Sequence, residues 1–239
     1  MTTKKKLMPT RTLAIAALPL LMIPAAFPDD SGAKVGGVEP STVGMSADKL
    51  AEVGPIVDGL IGEKKLAGAV VLVSKDGKVV HLKSYGHRNI AEERTMTDDT
   101  IFRIYSMSKA ITSATAMMLV DDGKIQLDDP VSKYIPEFAD QRVYTEDGGR
   151  EPSRPATVRD LLRHTAGLTY GIFGDSPVDK MYRKAGVLSP ADDLKTFAAK
   201  VGKMPLEYDP GTSWQYSVAS DVLGRVIEVA AGQKLGEVF

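Results

Sequence analysis

The chain has 239 residues, enough for one or two domains with a real core, and carries 30 basic against 31 acidic side chains, a net charge of −1. That balance, with no basic patch interleaved with aromatics, predicts no nucleic-acid partner. Cysteine is absent, and the three histidines, at 81, 87 and 164, lack metal-ligand spacing, so neither disulfides, thiol catalysis nor a metal site is expected.

The N-terminus reads as an export signal. Lys4, Lys5 and Lys6 form a positive region, residues 13–23 are apolar, and Pro24, Ala25 and Ala26 offer small residues for cleavage. Residues 1–26 are therefore expected to be a signal peptide, and the protein periplasmic or secreted. The apolar run is short and broken by proline, so no stable membrane insertion is expected after cleavage. Residues 27–45, rich in Gly, Ser and Pro, read as a flexible linker. Folded chain is expected over 46–239.

Residues 46–65 predict a helix capped by Ser46 and bent or restarted at Pro55. Residues 69–75 and 78–85 predict a β-hairpin turning at Asp76-Gly77. A loop follows over 86–105, with a short strand near Ile101 and Phe102. A helix is expected over about 106–122, ended by Gly123. Residues 123–156 read mostly as loop, with prolines at 130, 136, 152 and 155. Thr157 caps a short helix through Arg163, with Asp160 in its first turn. Residues 167–190 read as irregular, 192–200 as helix and 205–216 as turns. The last helix, 217–231, has Val222, Leu223, Val226, Ile227 and Ala230 on its apolar face. There is no internal repeat.

The chemistry concentrates at Ser106 and Lys109. Three residues apart on a helix, they share a face, with Cβ atoms roughly 5–6 Å apart. Residues 110–120 carry no charge, and such a helix is normally buried all round. Lys109 is then expected at the mouth of the core, where loss of water lowers an ammonium's pKa. A neutral lysine can take the serine's proton and make it a nucleophile. The spacing alone is weak. Ser31 and Lys34 share it in a Gly-rich stretch without fixed geometry. Ser46 and Lys49 share it on an amphipathic helix where the lysine stays hydrated. Ser106 as a plain N-cap followed by a stray lysine is an equal reading on the spacing alone.

Further segments bear on the choice. Residues 123–136 read GKIQLDDPVSKYIP, residues 157–168 TVRDLLRHTAGL, and residues 209–224 DPGTSWQYSVASDVLG. With these in order after Ser106 and Lys109, the chain resembles the serine β-lactamase-like hydrolases from about residue 46 to its last residue. It looks most like class C β-lactamases and family VIII carboxylesterases, relatives of the D-alanyl-D-alanine peptidases. The resemblance implies an α+β fold of the β-lactamase/transpeptidase type: an antiparallel sheet flanked by helices, beside a helical region that holds the active-site seam. It also implies Ser106 as the acylated nucleophile, Lys109 as general base and Tyr216 as proton shuttle, with the Ser106 N–H donating to the oxyanion. Tyr105, Trp214 and Val218 are assigned to substrate binding.

The family's Tyr-x-Asn motif is here Tyr216-Ser217-Val218. The asparagine amide that bonds a β-lactam side chain is missing, which shifts the expectation toward simple esters. The family's third motif, Lys-Thr-Gly or its equivalent, does not follow Tyr216. Residues 46–239 are therefore expected to be a C-terminally truncated, partial domain lacking the later strands of the sheet, and poorly stable by itself. The competing readings are plainer. Tyr216 could be a core aromatic behind the Pro210-Gly211 turn, and Trp214 a core residue. Met117 and Met118 are most simply core filler. A Ser–His triad through His164 is disfavoured, since no Gly-x-Ser-x-Gly elbow exists. Asp128-Asp129 and Asp192-Asp193 are more simply solvated pairs than catalytic acids. The expected function is an exported serine hydrolase that cleaves small-molecule esters or amides, β-lactams included, through an acyl-enzyme on Ser106, without metal or cofactor. The alternative is a catalytically incomplete, penicillin-recognising or binding fragment.

Overall fold

The hairpin forms where the alternating apolar residues place it. Strand β1 (Gly68–Lys75) pairs antiparallel with β2 (Lys78–Asn89) across Asp76 and Gly77, whose φ of 52° and 71° are those of a two-residue hairpin turn. The strands approach so closely at Gly86 that a Cβ there would lie 2.5 Å from the Ala67 carbonyl oxygen, so only glycine fits. The computed structural model describes residues 37–239, in two compact units that meet in sequence between Ile101 and Phe102. The expected signal peptide, 1–26, lies outside the described residues.

In the first unit, the expected linker differs from a flexible tether over its described part. Pro40–Val43 form one 3-10 turn, closed by Gly44 in the left-handed region, and the Val38 N–H donates to the Val79 carbonyl at 2.8 Å. The 46–65 helix restarts at Glu52, not at Pro55, giving α1 (Ala47–Ala51) and α2 (Val53–Gly62). Proline has no N–H for the residue four before it and its ring collides with that carbonyl. The break therefore falls upstream and leaves Pro55 in the first turn of α2. Helix α2 packs on β2, burying Val57 and Tyr85. The short strand expected near Ile101 lies instead at β3 (Arg94–Thr95). Strand β2 runs on to Asn89, a turn through Glu93 reverses the chain, and β3 finds a ladder there; residues 101–102 have none.

The second unit is helical: α3 (Ser108–Asp121), α4 (Val158–Arg163), α5 (Pro177–Lys184), α6 (Leu194–Gly202), α7 (Ala219–Ala231) and α8 (Leu235–Val238). Helix α7 is its axis and touches α3, α4, α6 and α8. Val222, Leu223, Val226 and Ile227 on its apolar face are all completely buried. Each contributes about 1.5–3 kcal/mol of transfer free energy. Helix α5 falls inside the stretch expected to be irregular. Its start is a reciprocal capping box between Ser176 and Asp179 with Pro177 at the first helical position, a signature legible in the sequence. Helix α3 also departs from expectation. Only one face, Thr112, Thr115, Ala116 and Leu119, is buried, because α7 covers one side; Ile111, Met117 and Met118 are exposed. Among the described residues no helix is long and apolar enough to cross a membrane.

Candidate active site

The chain enters α3 through a 3-10 turn, Tyr105–Met107, that carries Ser106. Tyr105 has φ 44°, a left-handed backbone that is rare for a bulky side chain and costs of the order of 1–3 kcal/mol. That strain sits one residue before the hydroxyl. It turns the Tyr105 ring outward, 77% exposed, while Ser106 faces the start of α7.

The opposite wall is the segment leading into α7. It is tied down along its length. Asp209 pairs with Arg150 and accepts from the Ser153 N–H at 2.7 Å, and the Gly211 N–H donates to the Thr165 carbonyl at 2.7 Å. Thr165 is held in turn by Asp160, which accepts its hydroxyl at 2.9 Å and two guanidinium N–H groups of Arg154 at 2.6 and 3.0 Å. Burial alone would push the Asp160 carboxyl up. The donors from Arg154, Thr157 and Thr165 outweigh it and hold the carboxyl down at about 2.

These anchors bring three of the predicted residues together across 110 positions of sequence. Ser106 Oγ lies 2.6 Å from Tyr216 Oη, and Lys109 Nζ donates to Ser106 Oγ at 3.3 Å. The ammonium also sits 4.8 Å from the centroid of the Tyr216 ring and 5.9 Å from that of Tyr170. Tyr170 stacks on Tyr216 at 5.5 Å, and Phe173 and His164 flank the same ring at 6.1 and 5.0 Å.

The protonation pattern differs from a lysine stripped of its proton by burial. Loss of water does lower the Lys109 pKa, but the hydrogen bond to Tyr216 and the fields of Tyr170, Tyr216 and Asp221 outweigh it, and the net direction is upward. With α3 half-exposed, the desolvation is too small to win. Tyr216 moves the other way: the Lys109 ammonium, and then the Ser106 hydroxyl, hold its phenol below the ordinary tyrosine value. The triangle is thus a cation beside an acidified phenol, with the serine oxygen bonded to both.

The remaining predicted residues divide. Trp214 is 66% exposed and lines a cavity of 390 Å³ with Thr169, Phe173, Gly174, Gln215 and Tyr216, so it is not a core residue. Val218 is the reverse. Its side chain is fully buried in the core at the start of α7, because the apolar face of that helix begins there. Sequence reading missed Tyr170, Phe173 and Asp221 around the triangle. Tyr170 and Phe173 directly follow the 157–168 segment, and that continuity was the available signal. A cavity of 540 Å³ beside Gln141, Tyr144 and Met204 holds none of these groups.

The helical unit, the hairpin and the order of the segments define a fold of the β-lactamase/transpeptidase type. One solved structure, described as EstCE1, a hydrolase with promiscuous acyltransferase activity, superposes with a TM-score of 0.70 at 32% identity, over 80% of this chain and 49% of that one. A penicillin-binding protein homologue from Pyrococcus abyssi superposes at 0.61 with 28% identity, over 79% of this chain and 40% of that one. The chain belongs to the beta-lactamase family, whose model matches residues 53–239. Esterase EstB of Burkholderia gladioli is 33% identical over 203 residues, 83% of this chain and 50% of that protein. The chain thus spans about half the length of the curated relatives it matches.

Proposed function

We propose that this protein is an exported serine hydrolase that cleaves small esters through an acyl-enzyme on Ser106. The Ser106–Lys109–Tyr216 triangle carries this reading. Tyr216, in the phenolate form that the Lys109 ammonium favours, accepts the Ser106 proton as Oγ bonds to the ester carbonyl carbon. Lys109, assigned at the outset as general base, acts here as the ammonium that sustains phenolate character on Tyr216. As the tetrahedral intermediate collapses, Tyr216 returns the proton to the departing alcohol. Water then attacks the acyl-serine, releasing the acid and restoring the hydroxyl. The Ser106 N–H, in the 3-10 turn that leads into α3, serves the oxyanion. The cavity beside Trp214 and Phe173 suits an uncharged, apolar group of the substrate. Export rests on Lys4 to Lys6 and the apolar run after them.

Relatives described as an esterase, EstB, and as a lovastatin esterase from Penicillium rubens support ester over β-lactam as the bond cleaved. The absence of an asparagine two residues after Tyr216 agrees. The test pairs a fluorophosphonate, located by peptide mass, with p-nitrophenyl butyrate turnover. Labelling of Ser106 with turnover, both lost in Ser106→Ala, is expected. Labelling by penicillin or fluorophosphonate without turnover would favour the binding-only reading. Turnover unchanged in Ser106→Ala would refute both.

A further inference from the structure

His164 is not needed for the proton path above, yet its backbone and side chain both grip the segment that presents Tyr216. It closes α4 as its C-cap with φ 55° and ψ 39°, a left-handed conformation that glycine or asparagine adopts far more readily than histidine. A residue serving only as a helix end would be better chosen as one of those two. An outlier kept at such a place points to a use for the side chain.

The use is visible on either side of Tyr216. The Gln215 N–H donates to the His164 carbonyl at 3.0 Å, and the Ser217 N–H donates to His164 Nδ1 at 3.3 Å. The residue before Tyr216 and the residue after it are thus bonded to the same histidine. An amide N–H can only donate, so Nδ1 must present a lone pair and the ring must be neutral, with its proton on Nε2. Ser217 Oγ, 3.4 Å from Nδ1, accepts from the Ala219 N–H at 3.3 Å, which leaves its own hydrogen free to point at the ring. The imidazole centroid lies 5.0 Å from that of the Tyr216 ring, tilted by 37°, and 6.3 Å from that of Trp214 in an edge-on arrangement of 66°.

We propose that His164 is a positioning residue: its neutral imidazole clamps residues 215–217 and so holds the Tyr216 phenol against Ser106 and Lys109. This rests on the proposed role of Tyr216. Adding a proton to Nδ1 sets an N–H against the Ser217 N–H and places a second cation near the Lys109 ammonium. The clamp then opens. Lys109 on α3 is the charged group that lowers the affinity of the ring for a proton; Tyr216, 5.0 Å away between ring centroids, opposes it when it is a phenolate, and Ser217 and Trp214, which also face the ring, carry no charge. Burial, and then Lys109, hold the imidazole below the ordinary histidine value, so the closed form prevails at neutral pH.

Two substitutions separate clamp from cap. His164→Gly suits the left-handed backbone better than histidine but removes the acceptor. His164→Asn suits it too and places Oδ1 where Nδ1 stood. The rate of Ser106 labelling by a fluorophosphonate is measured on the full chain from about pH 4.5 to about pH 9, with circular dichroism as the check on folding. His164→Gly is expected to slow labelling about 10- to 100-fold while staying folded, since displacements of roughly 1 Å cost rates of that order. His164→Asn is expected to keep most of the rate. It should also lose the second proton dependence that steepens the wild-type profile in acid, from a slope of about 1 toward about 2. A second readout needs no reaction. The titration of Tyr216 by phenolate absorbance, isolated by subtracting Tyr216→Phe, should move upward in His164→Gly as the phenol leaves the ammonium, and stay in place in His164→Asn. Wild-type labelling speed and an unmoved Tyr216 titration in His164→Gly would overturn the clamp and leave the proposed reaction standing. Failure of the wild type to label would sink the reaction, while the absorbance titration would still decide the clamp.

Discussion

Replacing Tyr216 by phenylalanine tests the proton path most directly. The substitution removes one oxygen, 2.6 Å from Ser106 Oγ, and leaves the ring packed against Tyr170 and His164. A separation of 2.6 Å is at the short end for an O–H···O bond, so the proton has almost no distance to travel. A positioned acid–base group contributes about 10²- to 10⁴-fold in rate, or about 2.7–5.4 kcal/mol of barrier. Lys109 remains 3.3 Å from the serine oxygen in the variant and can act as a poorer acceptor. Without the phenol, one of the contributions that raise the Lys109 pKa also disappears, which makes that amine easier to deprotonate. The expected loss therefore lies toward the lower end, about 10²-fold, and should deepen toward about 10⁴-fold when Lys109→Met is added. The assay is the pre-steady-state burst of p-nitrophenol, which reports acylation apart from later steps. A Tyr216→Phe protein whose burst rate stays within about threefold of wild type would refute the assignment, because no proton-transfer group contributes so little.

Other outcomes follow from the same geometry. In Lys109→Met, the Tyr216 phenol should titrate higher than in wild type, since its principal acidifying partner is gone; absorbance near the phenolate band reads the change. Trp214→Ala should raise KM for p-nitrophenyl esters of long acyl chains with little change for p-nitrophenyl acetate, as steady-state kinetics across a chain-length series would show. Leu223→Ala should destabilise the helical unit by about 2–5 kcal/mol in urea unfolding, because the side chain is fully buried. The Asp160 carboxyl is held down at about 2 in the folded protein against an ordinary value of 3.8, which is worth about 2 kcal/mol. A depressed carboxyl contributes above its unfolded value and loses that contribution as pH falls through the folded one. Urea midpoints should therefore drop between pH about 5 and about 2, and Asp160→Asn should flatten that part of the drop.

The hairpin was readable because its period and its Asp76-Gly77 turn are local signals, complete within a few residues. The same holds for the caps at Ser46 and Thr157. Ser106, Lys109 and Tyr216 were readable from motif order, although nothing in a linear pattern states that 106 and 216 lie within hydrogen-bond reach. What escaped was set by tertiary context. The uncharged face of α3 suggested a helix wrapped on every side, but exposure depends on how many neighbours the fold supplies. The direction of the Lys109 shift depends on Tyr170, Tyr216 and Asp221 gathering around it, which no spacing on α3 records. Val218 matched a motif position and yet points into the core, because the register of α7 and not the motif decides where that side chain goes.

The half-covered helix α3 carries a chemical liability. Met107, directly after Ser106, is 72% exposed, and Met118 is 66% exposed. Thioethers so open to solvent convert to sulfoxides under mild peroxide, turning slender apolar arms into polar, chiral ones. Oxidant history during storage would then register first at the doorway to Ser106, and sulfoxide reductase treatment would be the natural control for any preparation whose specific activity drifts.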